Sequence, residues 1–255
     1  MAGPPARILF SAGEASGELY AAELLRHLRQ AGPQIEAVGL GGDRLAEQGA
    51  RLLFHIRDLA VMGLVEVLRH LRRLRGIFAA VLAQALRLLK DRRPDVQPLL
   101  AQAPSLDPAL LRAHLAGLEL ASVTGQATAV LAAAQAALVA SGTATVETAL
   151  VGTPMTVVYR VSPVSYFLGR RFVRVSSFAM VNLIAGRQVV TELIQRDFTP
   201  ERVLQEALRL LDGGPAVERM RADLAEVRAR LGGTGASARA AEAVAAELRA
   251  ARGEG

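Results

Sequence analysis

The chain has 255 residues, 51% of them hydrophobic and 21% charged, a globular composition with enough apolar mass for one large domain or two small ones. It contains no cysteine, which excludes disulfides, thiolate metal sites and a cysteine nucleophile. The net charge of +6 is almost wholly arginine, because Lys90 is the only lysine; it reflects either a GC-rich genome or a surface drawn to anionic phosphate. His27, His55, His70 and His114 are scattered without metal-ligand spacing, so no metal is expected. The ten aromatic residues offer no base-stacking surface, and no nucleic acid partner is expected either.

The opening stretch MAGPPARILFSAGE turns polar too soon for a signal peptide. Residues 7–12 (RILFSA) read as a short buried strand ending at Gly13. A helix begins near Gly17, with Leu19, Leu24, Leu25 and Leu28 on one face. Strand, glycine turn and helix in that order open a doubly wound α/β domain. Residues 37–42 (AVGLGG) form a second strand, and Asp43 is placed to cap a short helix through Gln48.

Residues 61–90 carry Leu64, Leu68, Leu71, Leu74, Phe78, Val81, Leu82 and Leu86 at helical spacing, with Arg69, Arg72, Arg73 and Arg75 between them. The pattern predicts one amphipathic helix, or two joined near Gly76, whose basic face is either solvated or laid on anionic lipid. DRRPDVQP (91–98) breaks it. A strand starts within 96–100, and 106–115 read as a helix with Asp107 at its N-cap and Pro108 after it. The alanine-rich window 127–140 is too short to cross a bilayer. Residues 138–140 end a strand and 155–161 form another; from Pro200 the chain is helical, broken at Gly232, Gly233 and Gly235 before a last helix from Ser237 to Arg252.

SGTATVETAL (141–150) is the strongest chemical signal, with small residues leading from a strand into a helix near Thr143. Backbone N–H groups at such a helix start suit a diphosphate. Ser141, Thr143 and Thr145 add hydroxyl donors, and Glu147, one turn in, is placed for ribose hydroxyls. An ordinary strand-to-helix turn capped by Ser or Thr is the competing account. SAGEASGELY (11–20) is a similar junction, where Glu14 and Glu18 either cap the helix or bind sugar hydroxyls. In VNLIAGRQVVTELIQ (181–195), Asn182, Arg187, Glu192 and Gln195 line a pocket or form one polar helix face. No Walker loop, Ser/His/Asp set or metal cluster is present in the sequence.

Taken together, SAGEASGELYAAELLRHLR, GLGGDRLAEQGARLLF, VMGLVEVLRHLRRLR, APSLDPALL, VASGTATVETALVGTPMTVVYRVSP, VNLIAGRQVVTELIQRDFTPERV and GASARAAEAV resemble the lipid-A-disaccharide synthases, in the family's order and over nearly the whole chain. The resemblance implies an inverting GT-B type glycosyltransferase with two Rossmann-like domains around a cleft. Its reaction joins UDP-2,3-diacylglucosamine to 2,3-diacylglucosamine 1-phosphate (lipid X), without a cofactor. Carried over, Ser141, Gly142, Thr143, Ala144 and Thr145 hold the UDP phosphates and Glu147 the ribose. Glu14 and Ser16 face the cleft from the acceptor side, and with Glu18, Asn182, Glu192 and Gln195 they bind substrate. The implied setting is cytoplasmic, peripheral to the inner membrane, with a homodimer among the arrangements allowed.

Three departures qualify this likeness. Glu18 stands where the family usually has aspartate, and Val181 and Thr191 where it usually has proline. The third concerns the middle of the chain: RRPDV runs directly into QPLLAQAPSLDP near residues 95–97. The family's IDxPDFN segment, whose aspartate is the expected catalytic base, is absent, so the catalytic residue of this chain is unknown; Asp95 belongs to the RRPD element and is not a substitute. The expectation is an α/β protein truncated in its middle, with residues 1–95 from the acceptor-side domain, 96–235 from the nucleotide-sugar domain and 236–255 as a terminal helix. Loss of the strands opens sheet edges and bares apolar faces, and loss of the base costs roughly 10²–10⁴-fold in rate. A non-catalytic remnant binding nucleotide-sugar or a membrane surface is the alternative.

Overall fold

The computed structural model describes residues 5–31, 34–59, 65–102, 113–118, 120–160, 177–233 and 235–251, and the side chains of all of these but 15, 58–59 and 65–75. Packing divides the chain into two compact units, 1–68 with 233–255, and 69–232. Residues 69–95, expected with the first domain, pack with the second unit, and the terminal helix packs with the first.

In the first unit, β1 (Ala6–Ser11), β2 (Ile35–Gly41) and β3 (Arg51–His55) form a parallel sheet in the order β1-β2-β3. The helices α1 (Ala15–Gln30), α2 (Asp43–Glu47) and α3 (Ile56–Leu59) follow these strands in turn. One sheet face is closed. Phe10, Ala37, Leu25 and Leu28 are buried there with Ala241 and Ala245 of the last helix, α10 (Ala236–Ala251). Small residues at 241 and 245 allow that helix to lie close on α1, and Ser237 fixes its start by a 2.9 Å hydrogen bond to Glu23. Leu19, expected on the buried face of α1, is exposed, because the helix turns that position away from Leu25 and Leu28.

On the other sheet face Val38 is buried but Leu9 beside it is 71% exposed, and Leu53 and Phe54 of β3 are also exposed, whereas a parallel sheet ordinarily has both faces covered. Among the described residues β1 has a strand partner on one side only. At the β1–β2 contact, Gly39 has φ +151°, and a Cβ there would lie 1.9 Å from the carbonyl oxygen of Phe10. The strands meet so closely that only glycine fits.

The second unit takes in most of α4 (Val65–Arg92), which runs unbroken through Gly76. Its basic residues 69, 72, 73 and 75 have side chains outside the described residues. Phe78, Val81, Leu82 and Ala85 pack against Val158, Leu193, Phe198 and Val203, and Phe78 meets the Phe198 ring at 4.9 Å between centroids. β4 (Leu99–Gln102) pairs in parallel with β5 (Ala121–Thr124). β6 (Ala137–Ala140), β7 (Met155–Tyr159) and β8 (Thr191–Ile194) form a second parallel sheet in the order β6-β7-β8. The helix expected over 106–115 lies largely outside the described residues.

The alanine-rich window resolves into α5 (Ala127–Ala133) and β6. α6 (Thr143–Val151) and α7 (Met180–Ala185) follow the strands, and α8 (Pro200–Asp212) and α9 (Pro215–Leu231) close the unit. Thr199 caps α8 by accepting from the Arg202 amide, with Pro200 next, a strong start signal. The helical tail is interrupted at Gly213 and Gly214, both at positive φ, a break the sequence reading passed over. The core of this unit is built on Met155, Val157, Val181, Leu210 and Leu224.

Candidate functional site

In a parallel sheet all strands deliver their carboxyl ends to one edge, where ligands of α/β proteins bind. In the second unit that edge carries Ser141, Arg160 and Gln195. The ladder continues into it, with the Ser141 amide donating to the Val158 carbonyl at 3.2 Å and the Gln195 amide to the Tyr159 carbonyl at 3.1 Å. Gln195 has φ +54°, the only non-glycine residue at positive φ among those described. Backbone strain of this kind at a strand's carboxyl end accompanies binding sites.

Gly142 opens α6 with φ +139° and ψ −161°, a conformation that only glycine adopts readily. Among the described residues no side chain caps this helix, so its first amides present an electropositive head. The hydroxyls sort differently from the sequence expectation. Ser141 donates to the carbonyl of Phe178 at 3.0 Å. Thr145 is fully buried and bonds back to the Gly142 carbonyl at 2.8 Å, as threonines three residues into a helix do; its proton is not available to a ligand. Thr143 and Ala144 remain half-buried at the head, and the carboxylate of Glu147, also half-buried, makes no hydrogen bond among the described residues.

Asn182 and Glu192 are brought together, but as framework. Asn182 is 2% exposed. Its oxygen accepts from the Val189 and Val190 amides at 2.8 and 3.0 Å, and its nitrogen donates to the Val190 carbonyl at 3.0 Å and to Glu192 at 2.7 Å. The Glu192 carboxylate also accepts from the amides of Phe178 and Ala179, at 2.9 and 3.2 Å. Residues 178–179 are thus clamped between the end of β6 and β8. Asn182 has no polar atom left for a substrate. Arg187 faces away from the edge, paired with Asp223 and Glu226 at 2.6 and 2.8 Å.

In the first unit Glu14 and Ser16 sit at the carboxyl end of β1, exposed and half-buried, joined by a 2.8 Å hydrogen bond. Glu18 is different. It is buried, and its carboxylate accepts from the amides of Arg44 and Leu45 at 2.8 and 3.3 Å. It therefore caps α2, a helix that begins 25 residues on, and not its own. Gly42 makes room for it, since a Cβ there would come within 2.6 Å of the Glu18 oxygen. Asp43, expected as the cap, is instead the first residue of α2 and pairs with His55 and Arg57.

Asp95 holds a two-pronged ion pair with Arg93 at 2.9 and 3.0 Å. The hydrogen bonds from Arg93 hold its carboxyl below the usual carboxylate range, which makes it a poor base. Among the described residues no three acidic or histidine side chains cluster as a metal site would require.

Parallel sheets with glycine-led helices after their strands place this chain among the doubly wound α/β proteins. The family model for lipid-A-disaccharide synthetase matches residues 8–97 and 78–247, and the chain belongs to that family of GT-B glycosyltransferases. A lipid-A-disaccharide synthase of Myxococcus xanthus is 30% identical over 375 aligned positions, covering 96% of this chain and 98% of the relative. One of Anaeromyxobacter dehalogenans is 44% identical over 169 residues, 65% of this chain and 44% of the relative. One of Acidobacterium capsulatum is 54% identical over 117 residues, 46% of this chain and 29% of the relative. In the first alignment 96% of 255 residues is about 245, so about 130 of the 375 positions face no residue of this chain. The two stretches matching the family model overlap over residues 78–97; the segment that joins the halves matches the family twice.

Proposed function

We propose that the chain binds UDP-2,3-diacylglucosamine through the head of α6 and, as a lipid-A-disaccharide synthase, transfers its sugar to lipid X at a much reduced rate. The observation that carries this reading is the uncapped α6 head, opened by Gly142 at the carboxyl edge of β6. There the diphosphate accepts from the amides of residues 142–144, Glu147 receives ribose hydroxyls, and Gln195 reaches the substrate from the end of β8. In the reaction the acceptor 6-hydroxyl attacks the sugar C1, the bond from C1 to the UDP oxygen breaks with inversion, and a base removes the hydroxyl proton. The α6 amides stabilise the charge that gathers on departing UDP. Glu14, at the end of β1, is the exposed carboxylate assigned to acceptor hydroxyls.

What this chain lacks is the residue that takes the proton. The unmatched 130 or so positions and the engagement of Asp95 with Arg93 favour a second reading, a remnant that binds donor without turnover. Titration with UDP and with the acylated donor, followed by a disaccharide assay with lipid X, separates the two. Turnover reduced about 10²–10⁴-fold supports the first; binding without turnover leaves the second; absence of UDP binding refutes both. We further infer residence at the cytoplasmic face of the inner membrane, supported by the arginines at 69–75 in the sequence of α4. Among the described residues no helix is long and apolar enough to cross a membrane.

A further inference from the structure

α7, whose sequence is MVNLIA, is apolar on its solvent side as well as its buried one: Val181, Ala185 and its one polar residue, Asn182, are all buried. The residues it turns to solvent are Met180 and Leu183, 39% and 44% exposed, and Phe178 just before it is 38% exposed. A surface helix ordinarily turns polar residues to solvent, and an apolar patch left on the surface marks a contact. Met180 and Leu183 are three apart and share a face, while the Phe178 ring continues the patch to Tyr159 at 6.1 Å between centroids.

Two further observations say what the patch meets. It is directly joined to the α6 head, because the Ser141 hydroxyl that begins the head donates to the Phe178 carbonyl. It is also rigid, because Glu192 accepts from the amides of Phe178 and Ala179 while Asn182 locks α7 to the turn before β8. An electropositive helix head beside a fixed apolar surface complements a molecule with an anionic head group and a hydrocarbon tail. We propose that Phe178, Met180 and Leu183 form the seat of a fatty-acyl chain carried by the nucleotide-sugar bound at α6. This rests on the nucleotide reading above and specifies how the ligand's lipid part is held.

Isothermal titration of the full chain with UDP, UDP-N-acetylglucosamine and UDP-2,3-diacylglucosamine tests it, comparing the native protein with M180Q/L183Q and with F178S. All three positions are exposed, so the fold is retained, and circular dichroism checks that. The native protein is expected to bind the acylated ligand at least tenfold more tightly than UDP-N-acetylglucosamine, from burial of methylenes. M180Q/L183Q should remove most of that ratio while UDP binds as before, and F178S should reduce it. An unchanged ratio with intact UDP binding overturns the acyl seat alone. Failure of the native protein to bind UDP overturns the nucleotide reading and the seat with it. Loss of sedimentation with phosphatidylglycerol vesicles at an unchanged ratio would assign the patch to a membrane and also overturn the seat.

Discussion

Asn182→Asp changes one atom type at constant shape and turns a donor into an acceptor. In the native protein the Asn182 nitrogen donates to Glu192 at 2.7 Å and to the Val190 carbonyl at 3.0 Å. In the variant an ionised carboxylate would face the Glu192 carboxylate in a buried setting, where two like charges about 4 Å apart repel by about 4 kcal/mol at an effective dielectric constant of 20. The alternative is to take up a proton. Protonating an aspartate of ordinary pKa near 3.9 at pH 7 costs about 4 kcal/mol, at 1.36 kcal/mol per unit, and the acid so formed donates to Glu192 much as the amide did. The loss at pH 7 is therefore about 4 kcal/mol, a large share of a typical domain's stability. The folded-state pKa of the new pair is raised above the unfolded value. The variant's deficit is accordingly small below about pH 4 and grows by about 1.4 kcal/mol per unit as the pH rises toward the folded pKa. Urea denaturation of native and variant chains at pH 5 and 7 measures it, with a deficit of about 1.5 kcal/mol expected at the lower pH. Equal deficits at both values, or none, would show that Asn182 does not hold Glu192 as described.

Three other outcomes are expected. Gly142→Ala meets no steric obstacle, since a Cβ there has nothing within 4 Å, but its φ of +139° costs the variant roughly 1–3 kcal/mol; a denaturation midpoint equal to the native one would refute this, and UDP titration should show weakened binding. Gly42→Ala drives the Glu18 carboxylate off the amides of Arg44 and Leu45 and should cost about 1–2 kcal/mol, with faster hydrogen exchange at those two amides as its signature. Glu226, held below the usual carboxylate range by hydrogen bonds from Arg187 and Arg230, should titrate at higher pH in Arg187→Ala when followed by carboxyl NMR. Because its folded pKa is depressed, the stability it lends is present above the unfolded value and disappears as the pH falls through the folded one.

The local grammar of the chain was legible where chemistry is local. Strand, glycine and helix at 6–30, the helix start at Thr143 and the helix from Pro200 follow from short-range signals, and the structure has each. What escaped were interactions whose partners lie far along the chain. Glu18 looked like a cap for its own helix, yet it caps one that begins 25 residues later. Asn182 and Glu192 looked like pocket polars because their positions carry no sign that the residues between them fold back and consume their hydrogen bonds. The exposure of Phe178, Met180 and Leu183 leaves no mark in the sequence, since exposure is a tertiary property. The alanines of 127–136 hid a helix because alanine has no period to read, whereas the strand ending at 138–140 was legible.

The position of α10 has a consequence for how the chain is made. Its Ala241 and Ala245 complete the apolar layer over α1, so a core begun at Phe10, Leu25 and Leu28 waits for residues made much later before it closes. At roughly 5–20 residues per second, the stretch from the end of α4 to the end of α10 takes on the order of ten seconds or more to synthesise. Throughout that time Phe10, Leu25 and Leu28 lack their final cover, whereas the second unit has all of its own residues once Gly232 is added. A ribosome stalled late in the message would release a chain with a finished second half and an unfinished beginning.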